Sequence, residues 1–154
     1  MASVGRGLAS PLLTINFILA VVGACLAGWA LNRNFDCAMR VGEGCVGNGI
    51  TSVFLPLALI ACVVTIAAKF AGTHHLRVWR TDSLAAAAAT ALIALLLTFL
   101  ALGVAIKEIK VGGYRPKRLK ALEAIIIILG FFEILYTMSL HAGVLGDKYG
   151  PTYA

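Results

Sequence analysis

The sequence predicts an all-α integral membrane protein, a four-transmembrane-helix bundle with short loops and a single domain. Of its 154 residues, 60% are hydrophobic and only 13% are charged, against about 45–50% and about 25% in a typical soluble domain. The apolar residues are gathered into four long runs, each near the ~20 residues that a helix needs to cross a ~30 Å hydrocarbon core. This composition excludes a soluble enzyme, and we expect no catalytic site.

The four apolar runs set the expected helix boundaries. We expect helices at about residues 9–31, 50–70, 84–106 and 119–140. The first run is longer than the apolar core of a secretory signal, which has about 7–15 residues, so we expect it to be a membrane span. Pro56 lies near the start of the second span and predicts a structural kink, with a gating hinge as the alternative. Because the number of spans is even, both termini lie on one side.

Basic residues in short loops predict the orientation, because lysine and arginine are retained on the cytoplasmic side. The side of the termini carries five such residues, which are Arg6, Lys69, Arg77, Arg80 and Lys148. The other side carries eight, which are Arg33, Arg40, Lys107, Lys110, Arg115, Lys117, Arg118 and Lys120. This count favours cytoplasmic first and third loops, with both termini outside. Cys37 and Cys45 in the first loop would indicate the reverse orientation if they form a disulfide, because such bonds persist in oxidising compartments. Free thiols or lipid-anchor sites are the alternative.

Small residues at regular spacing indicate how the helices pack. Association of helices in lipid depends on close backbone approach and on interhelical hydrogen bonds, so ridges of alanine and glycine are typical contact faces. The first and third spans each contain one such ridge, formed respectively by Ala20, Ala24 and Gly28 and by Ala87, Ala91 and Ala94. We expect these two helices to pack tightly through them.

Glu133 is the most informative ionisable residue of the sequence. It lies deep in the fourth span, where a charged group costs about 2.5–3.5 kcal/mol on insertion scales. Helical spacing places Thr137 and His141 on its face. This face must turn into the bundle or towards a partner rather than into lipid. We therefore expect the Glu133 carboxyl group to be protonated or paired with a cation.

Two interpretations of this carboxyl group stay open. It is either a proton-linked or ligand-binding group, or it makes a structural hydrogen bond, for example to Asn16, Thr65 or Tyr136. In both cases it belongs to a buried polar group of side chains. The candidate ligand or proton site comprises Glu133, Asn16, Tyr136, Thr137 and His141.

Basic and aromatic residues flank the predicted spans and suit the headgroup layer. Their cations would meet phosphate groups, at about 1 kcal/mol per basic residue near an anionic leaflet, and tryptophan favours the interface. The expected lipid headgroup contacts are Arg77, Trp79, Arg80, Arg115, Lys117, Arg118 and Lys120. These clusters account for the net charge of +6, so we expect membrane lipids and no nucleic acid as partners. No motif for a cofactor or a metal ion is recognised, since His74 and His75 lack further ligands at suitable spacing.

Short strings along most of the chain carry a family resemblance, which is densest from about residue 70 to residue 142. They include His75-Leu76-Arg77-Val78-Trp79, Asp82-Ser83-Leu84, Lys107-Glu108-Ile109, Gly112-Gly113, Leu122-Glu123-Ala124 and Leu135-Tyr136. With these strings the chain resembles the AWPM-19-like family of plant plasma-membrane proteins. The resemblance implies four transmembrane helices, the plasma membrane of a plant cell, and a link to abscisic acid, dehydration and cold stress. For some members it also implies uptake of abscisic acid.

Two classes of function follow. In the first, the protein is an accessory or scaffolding subunit that packs with a larger membrane pump, channel or transporter, or with a second copy of itself. In the second, it is a proton-linked importer of abscisic acid or a similar weak acid, with Glu133 titrating and basic residues attracting the anion. The sequence favours the first class, because four helices of about twenty residues fill their own interior. A dry bundle with a flat outer face of small residues would support it, and a polar cavity at Glu133 would support the importer.

Overall fold

The computed structural model describes the backbone of residues 2–39, 47–78 and 81–145, and the side chains of residues 9–39, 47–78 and 83–142. Within these parts the chain forms four helices, α1 (Ala2–Met39), α2 (Thr51–Val78), α3 (Thr81–Val111) and α4 (Lys117–Leu145). All four are long and apolar enough to cross a membrane. The predicted all-α membrane architecture is therefore confirmed.

Each helix is longer than the apolar run that predicted it. The second run ends at about residue 70, for example, whereas α2 continues to Val78. Hydropathy marks only the part of a helix that fits hydrocarbon, but each further residue of a formed helix still adds one backbone hydrogen bond. Pro56 lies inside the continuous helix α2, and the kink predicted there stays a prediction.

The helices form a square arrangement in which each one packs against two neighbours. Helices α1 and α3 each pack against both α2 and α4, so α2 and α4 lie across a diagonal of the bundle. Successive helices run in opposite directions, and α2 and α4 are therefore parallel. We call the end where α1 begins and α4 finishes the terminal end, and the end where α2 and α4 begin the loop end.

Buried residues recur at alternating steps of three and four along the helices. In α3 this buried stripe comprises Leu84, Ala87, Ala91, Ala94, Thr98, Ala101, Ala105 and Glu108. An average step of 3.5 residues is the repeat that keeps one face of a helix turned towards its neighbours in a left-handed bundle. Three of these residues, Ala87, Ala91 and Ala94, form the ridge expected in the third span.

In α1 the buried stripe differs from the expected ridge. It comprises Ala9, Asn16, Ala20, Gly23, Ala27 and Ala30, whereas Ala24 and Gly28 are partly exposed. Each step of four residues turns about 40° past a full rotation, so repeated steps of four drift off the buried face. The close approach lies at Gly23, where a Cβ would be 2.8 Å from Cys62 Sγ, and a Cβ at Gly28 would meet nothing within 4 Å.

Candidate functional site

A buried ion pair crosses the bundle between α2 and α4. The ammonium nitrogen of Lys69 lies 2.8 Å from Glu133 Oε1 and 2.9 Å from Glu133 Oε2, and neither side chain is exposed. Lys69 lies about 27 Å along α2 from Thr51, and Glu133 about 24 Å along α4 from Lys117, at 1.5 Å per residue. Because α2 and α4 are parallel, the two charges reach the same depth.

The two ions neutralise each other, and Lys69 also contacts a third side chain, Tyr136. Either ion alone would be costly at this depth in a membrane, whereas the ammonium and carboxylate groups compensate each other. The Lys69 ammonium also lies 3.7 Å from the centre of the Tyr136 ring, a favourable cation–π distance. Tyr136 comes this close to α2 because position 72 is glycine, where a Cβ would overlap the tyrosine hydroxyl.

Three further polar groups in this region keep hydrogen-bonding capacity. Asn16 donates from Nδ2 to the Phe132 carbonyl oxygen at 3.2 Å. Its Oδ1 atom and the hydroxyl groups of Thr65 and Thr137 are buried and have no hydrogen-bond partner in the part of the chain that the structure describes. Thr65 lies one turn before Lys69, and Thr137 one turn after Glu133. Buried polar atoms without partners are rare in proteins, and an ordered water molecule is one way to satisfy them.

The structure brings together most residues of the predicted polar site. Asn16, Glu133, Tyr136 and Thr137 are buried. His141 is exposed and donates from Nδ1 to the Thr137 carbonyl oxygen at 2.9 Å, so it lies outside the buried group. Eight residues turn a helix by about 80° beyond two full rotations, which takes His141 off the face of Glu133.

Lys69 is the site residue that the sequence reasoning missed. Its position near the end of an apolar run suggested a basic residue at the membrane surface, whereas its side chain is buried. The expected partners of Glu133 were Asn16, Thr65 or Tyr136, and the structure pairs it with Lys69 instead. Its depth in the membrane could have revealed Lys69, because it lies at the same depth as Glu133 once α2 and α4 are taken to be parallel.

A second polar cluster lies at the loop end. Glu108 is buried, and its Oε1 atom accepts a hydrogen bond from the Thr51 hydroxyl group. Asn48 donates from Nδ2 to the Gly112 carbonyl oxygen at 2.7 Å and so ties the start of α2 to the end of α3. The predicted third span ends at about residue 106, so the sequence assigned no buried role to Glu108. The 3.5-residue repeat of α3 contains it and could have revealed its burial.

The expected headgroup residues are divided between the surface and this cluster. Arg77, Lys117, Arg118 and Lys120 are exposed. The Arg118 guanidinium group also lies 4.4 Å from the centre of the Trp29 ring. Arg115 is largely buried, and its Nη1 atom lies 2.7 Å from Glu123 Oε2. Trp79 and Arg80 lie outside the described residues. Lipid contact by these side chains stays a prediction.

The cysteines and histidines are the remaining reactive side chains and potential metal ligands. Cys37 is disulfide-bonded, and Cys45, the other residue of the predicted pair, lies outside the described residues. Cys25 and Cys62 are free thiols. His75 Nδ1 lies 2.9 Å from Ser83 Oγ, which links α2 to α3. Among the residues that the structure describes, no group of three or more histidine, cysteine or acidic side chains could hold a metal ion.

Comparison with known proteins identifies the family of the chain. The AWPM-19-like family matches residues 14–143. The chain is also 46% identical over 149 residues to a rice protein named membrane protein PM19L, and this match covers 97% of the chain and 86% of the rice protein. No solved structure matches. The resemblance noted in the sequence is confirmed, and the chain belongs to the AWPM-19-like family of membrane proteins.

Proposed function

We propose that this protein is a proton-linked carrier of a small weak acid in the plasma membrane of a plant cell. The observation that carries the proposal is the enclosed Lys69–Glu133 ion pair, because ionisable residues inside membrane proteins mark ion pathways and substrate sites. Abscisic acid is the weak acid that the family resemblance suggests, and a link to dehydration and cold stress belongs to the same proposal.

The chemistry of the pair couples a proton to an anion. Lys69 lies within 2.9 Å of both Glu133 oxygens, so the carboxylate occupies the position that a substrate carboxylate would take. When Glu133 accepts a proton it becomes neutral, and the Lys69 ammonium group is free to bind the substrate anion. Release of the anion and of the proton on the other side restores the pair. One proton therefore moves with each anion, and no net charge crosses the membrane.

The polar groups around the pair match the functional groups of such a substrate in kind. Abscisic acid carries a hydroxyl group and a ketone group besides its carboxyl group. The unpartnered Asn16 Oδ1 atom and the hydroxyl groups of Thr65 and Thr137 offer hydrogen bonds to groups of this kind, and Tyr136 offers an apolar wall. A few placed polar groups in an otherwise apolar site are typical of small-molecule sites. Because the pair is fully enclosed, we assign this arrangement to an occluded state.

The packing of the bundle removes one contact face that an accessory subunit could have used. Such a subunit would need its ridges of small residues to face a partner. Ala87, Ala91 and Ala94 are fully buried within the bundle instead, and the contacts that they make are between helices of one chain. The ridge of α3 is therefore buried inside the bundle and is not available to a helix of a partner.

The disulfide of Cys37 supports an orientation opposite to the one that the basic residues favour. Cytosolic thiols are kept reduced, so a structural disulfide indicates an oxidising compartment. A covalent bond of this kind outweighs a statistical preference of loop charges. We therefore propose that the loop end faces the cell exterior and that the termini lie in the cytoplasm.

Uptake of labelled abscisic acid into proteoliposomes, measured across a pH gradient, tests the proposed function. The wild-type protein should accelerate uptake above that of protein-free liposomes when the outside is acidic. Glu133→Gln should remove the dependence on pH, and Lys69→Met should abolish the accelerated uptake. Ile127→Leu changes a lipid-facing residue of α4 and should behave as the wild type. Unchanged uptake by both site variants would refute the proposal.

An accessory or scaffolding role is the second candidate, and one surface feature favours it. Ala85, Ala86 and Ala89 are exposed on α3 near the terminal end, where their small side chains would let a helix of a larger membrane protein or a second copy approach closely. In mild detergent, Ala89→Phe should dissociate such a complex. Ala67→Phe, at an exposed alanine of α2, is the matched control. A wild-type protein that purifies without any partner would contradict this role.

A further inference from the structure

The cluster at the loop end contains two buried carboxyl groups and one guanidinium group. The Glu108 side chain is not exposed, and Glu123 is 4% exposed where it pairs with Arg115. Both Arg115 and Glu123 interact electrostatically with Glu108. Helix α3 supplies Glu108, α4 supplies Glu123, and the loop between them supplies Arg115, so three consecutive parts of the chain converge here.

Within the described part of the chain, the charges of this cluster do not balance. Arg115 Nη1 binds Glu123 Oε2 at 2.7 Å, which compensates one carboxylate. Among the residues that the structure describes, no second cation pairs with Glu108. The neighbouring groups at the start of α2 and just before it are neutral, since they are the Thr51 hydroxyl group and the Asn48 side-chain amide. Charged neighbours on α3 and α4 point to solvent, because Lys107, Lys110, Lys117 and Lys120 are exposed, and Arg118 lies over Trp29.

Hydrogen bonds restrict where a compensating charge can bind. The Thr51 hydroxyl oxygen accepts a hydrogen bond from the backbone N–H of Asn48 at 2.9 Å. The proton of the Thr51 hydroxyl group is therefore directed to Glu108 Oε1. Glu108 Oε2, Glu123 Oε1 and Arg115 Nε are buried and have no hydrogen-bond partner among the described residues. Two acceptor oxygens therefore remain, one on each carboxyl group. A metal cation would require about six oxygen ligands, whereas a proton requires one or two.

We propose that Glu108, Glu123 and Arg115 form a second proton-binding site, which holds one exchangeable proton on its two carboxyl groups. The site binds a proton from water and releases it to water without any other reactant, so that one carboxylate becomes one carboxylic acid. Arg115, which is 18% exposed, connects the cluster to the solution at the loop end. Glu123 and Glu133 are ten residues apart on α4, or about 15 Å, so this site is distinct from the Lys69–Glu133 pair.

A role in transport rests on the proposed function. With the loop end outside, the cluster is the first buried acid that an external proton meets, and it would load the proton before Glu133 accepts it. The proton-binding site itself follows from the balance of charge in the cluster and does not require transport.

Infrared spectroscopy of the protein in lipid nanodiscs tests the site, because a protonated carboxyl group has a C=O stretching band that a carboxylate lacks. The wild type should show the band of one buried carboxylic acid at neutral pH. Glu108→Gln and Glu123→Gln should each abolish it, because either change leaves one carboxylate balanced by Arg115. Arg115→Gln should double the band, because both carboxyl groups then bind a proton.

Two control variants separate this site from the rest of the protein. Glu133→Gln and Lys107→Gln should leave the band unchanged, because Glu133 is ionised in its pair with Lys69 and Lys107 is exposed on α3. A wild-type spectrum without the band, or a band that persists in both Glu108→Gln and Glu123→Gln, would overturn the proposal. If the band behaves as expected and the wild type shows no uptake of weak acid, the proton site stands and the proposed function fails.

Discussion

The Lys69–Glu133 pair makes a quantitative prediction about stability. At 2.8 Å and an effective dielectric constant of about 20, the Coulomb attraction is about 6 kcal/mol, part of which offsets the desolvation of both ions. Removing one partner of a buried pair costs about 3–5 kcal/mol, because the other charge is left uncompensated. We therefore expect Lys69→Met and Glu133→Leu each to destabilise the fold by this amount. The double variant should lose much less than the sum.

A double-mutant cycle measures this coupling as the difference between the double variant and the sum of the single variants. Unfolding in mixed detergent micelles gives the free energies, and we expect a coupling energy of about 2 kcal/mol or more. Polar pairs between membrane helices have coupling energies that average about 0.6 and reach about 1.7 kcal/mol. A value near the average would mean that the pair acts as an ordinary hydrogen bond and would refute the reasoning. The control cycle combines Lys69→Met with Glu123→Gln, two changes at distant sites. Their effects on the free energy of unfolding should add within about 0.5 kcal/mol.

Three further predictions concern packing and orientation. Gly72→Ala should destabilise the protein by about 1–3 kcal/mol in thermal denaturation, because its Cβ would displace the Tyr136 hydroxyl group. Gly28→Ala should be neutral, because nothing lies within 4 Å of the added Cβ. Equal effects of the two changes would contradict the close approach at Gly72. Ala91→Leu should also lose about 1–3 kcal/mol through overpacking of a fully buried position, and an unchanged melting temperature would place that ridge towards lipid. In intact cells, a membrane-impermeant maleimide should label Cys37 after treatment with an impermeant reductant, and labelling that needs permeabilisation would reverse the proposed orientation.

The fold class could be predicted because hydropathy reports directly on the solvent around each helix. Four apolar runs of sufficient length leave one class of structure in lipid, and the four helices follow those runs. The packing face needed the correct period. In α3 the residues Ala87, Ala91 and Ala94 happen to follow the alternating steps of three and four. In α1 the choice of Ala24 and Gly28 followed steps of four and left the buried face.

The candidate site could be predicted only in part, because burial of a charge depends on which helices are neighbours. Glu133 was conspicuous, since its depth leaves it no route to water. Lys69 has a long side chain near the end of an apolar run, a position from which lysine usually reaches the interface. Its partner becomes evident only when α2 and α4 are known to be parallel and to face each other across the bundle. Glu108 was missed because Lys107 and Lys110 beside it are exposed and mark a polar segment of the sequence, although the 3.5-residue repeat of α3 includes Glu108.

The link between anion binding and proton uptake at Glu133 tests the central claim most directly. Isothermal titration of the purified protein with abscisic acid at neutral pH, repeated in two buffers of different ionisation enthalpy, gives the number of protons taken up per bound anion. We predict one proton per anion for the wild type, none for Glu133→Gln, and no binding for Lys69→Met. Binding by the wild type without proton uptake would contradict the account.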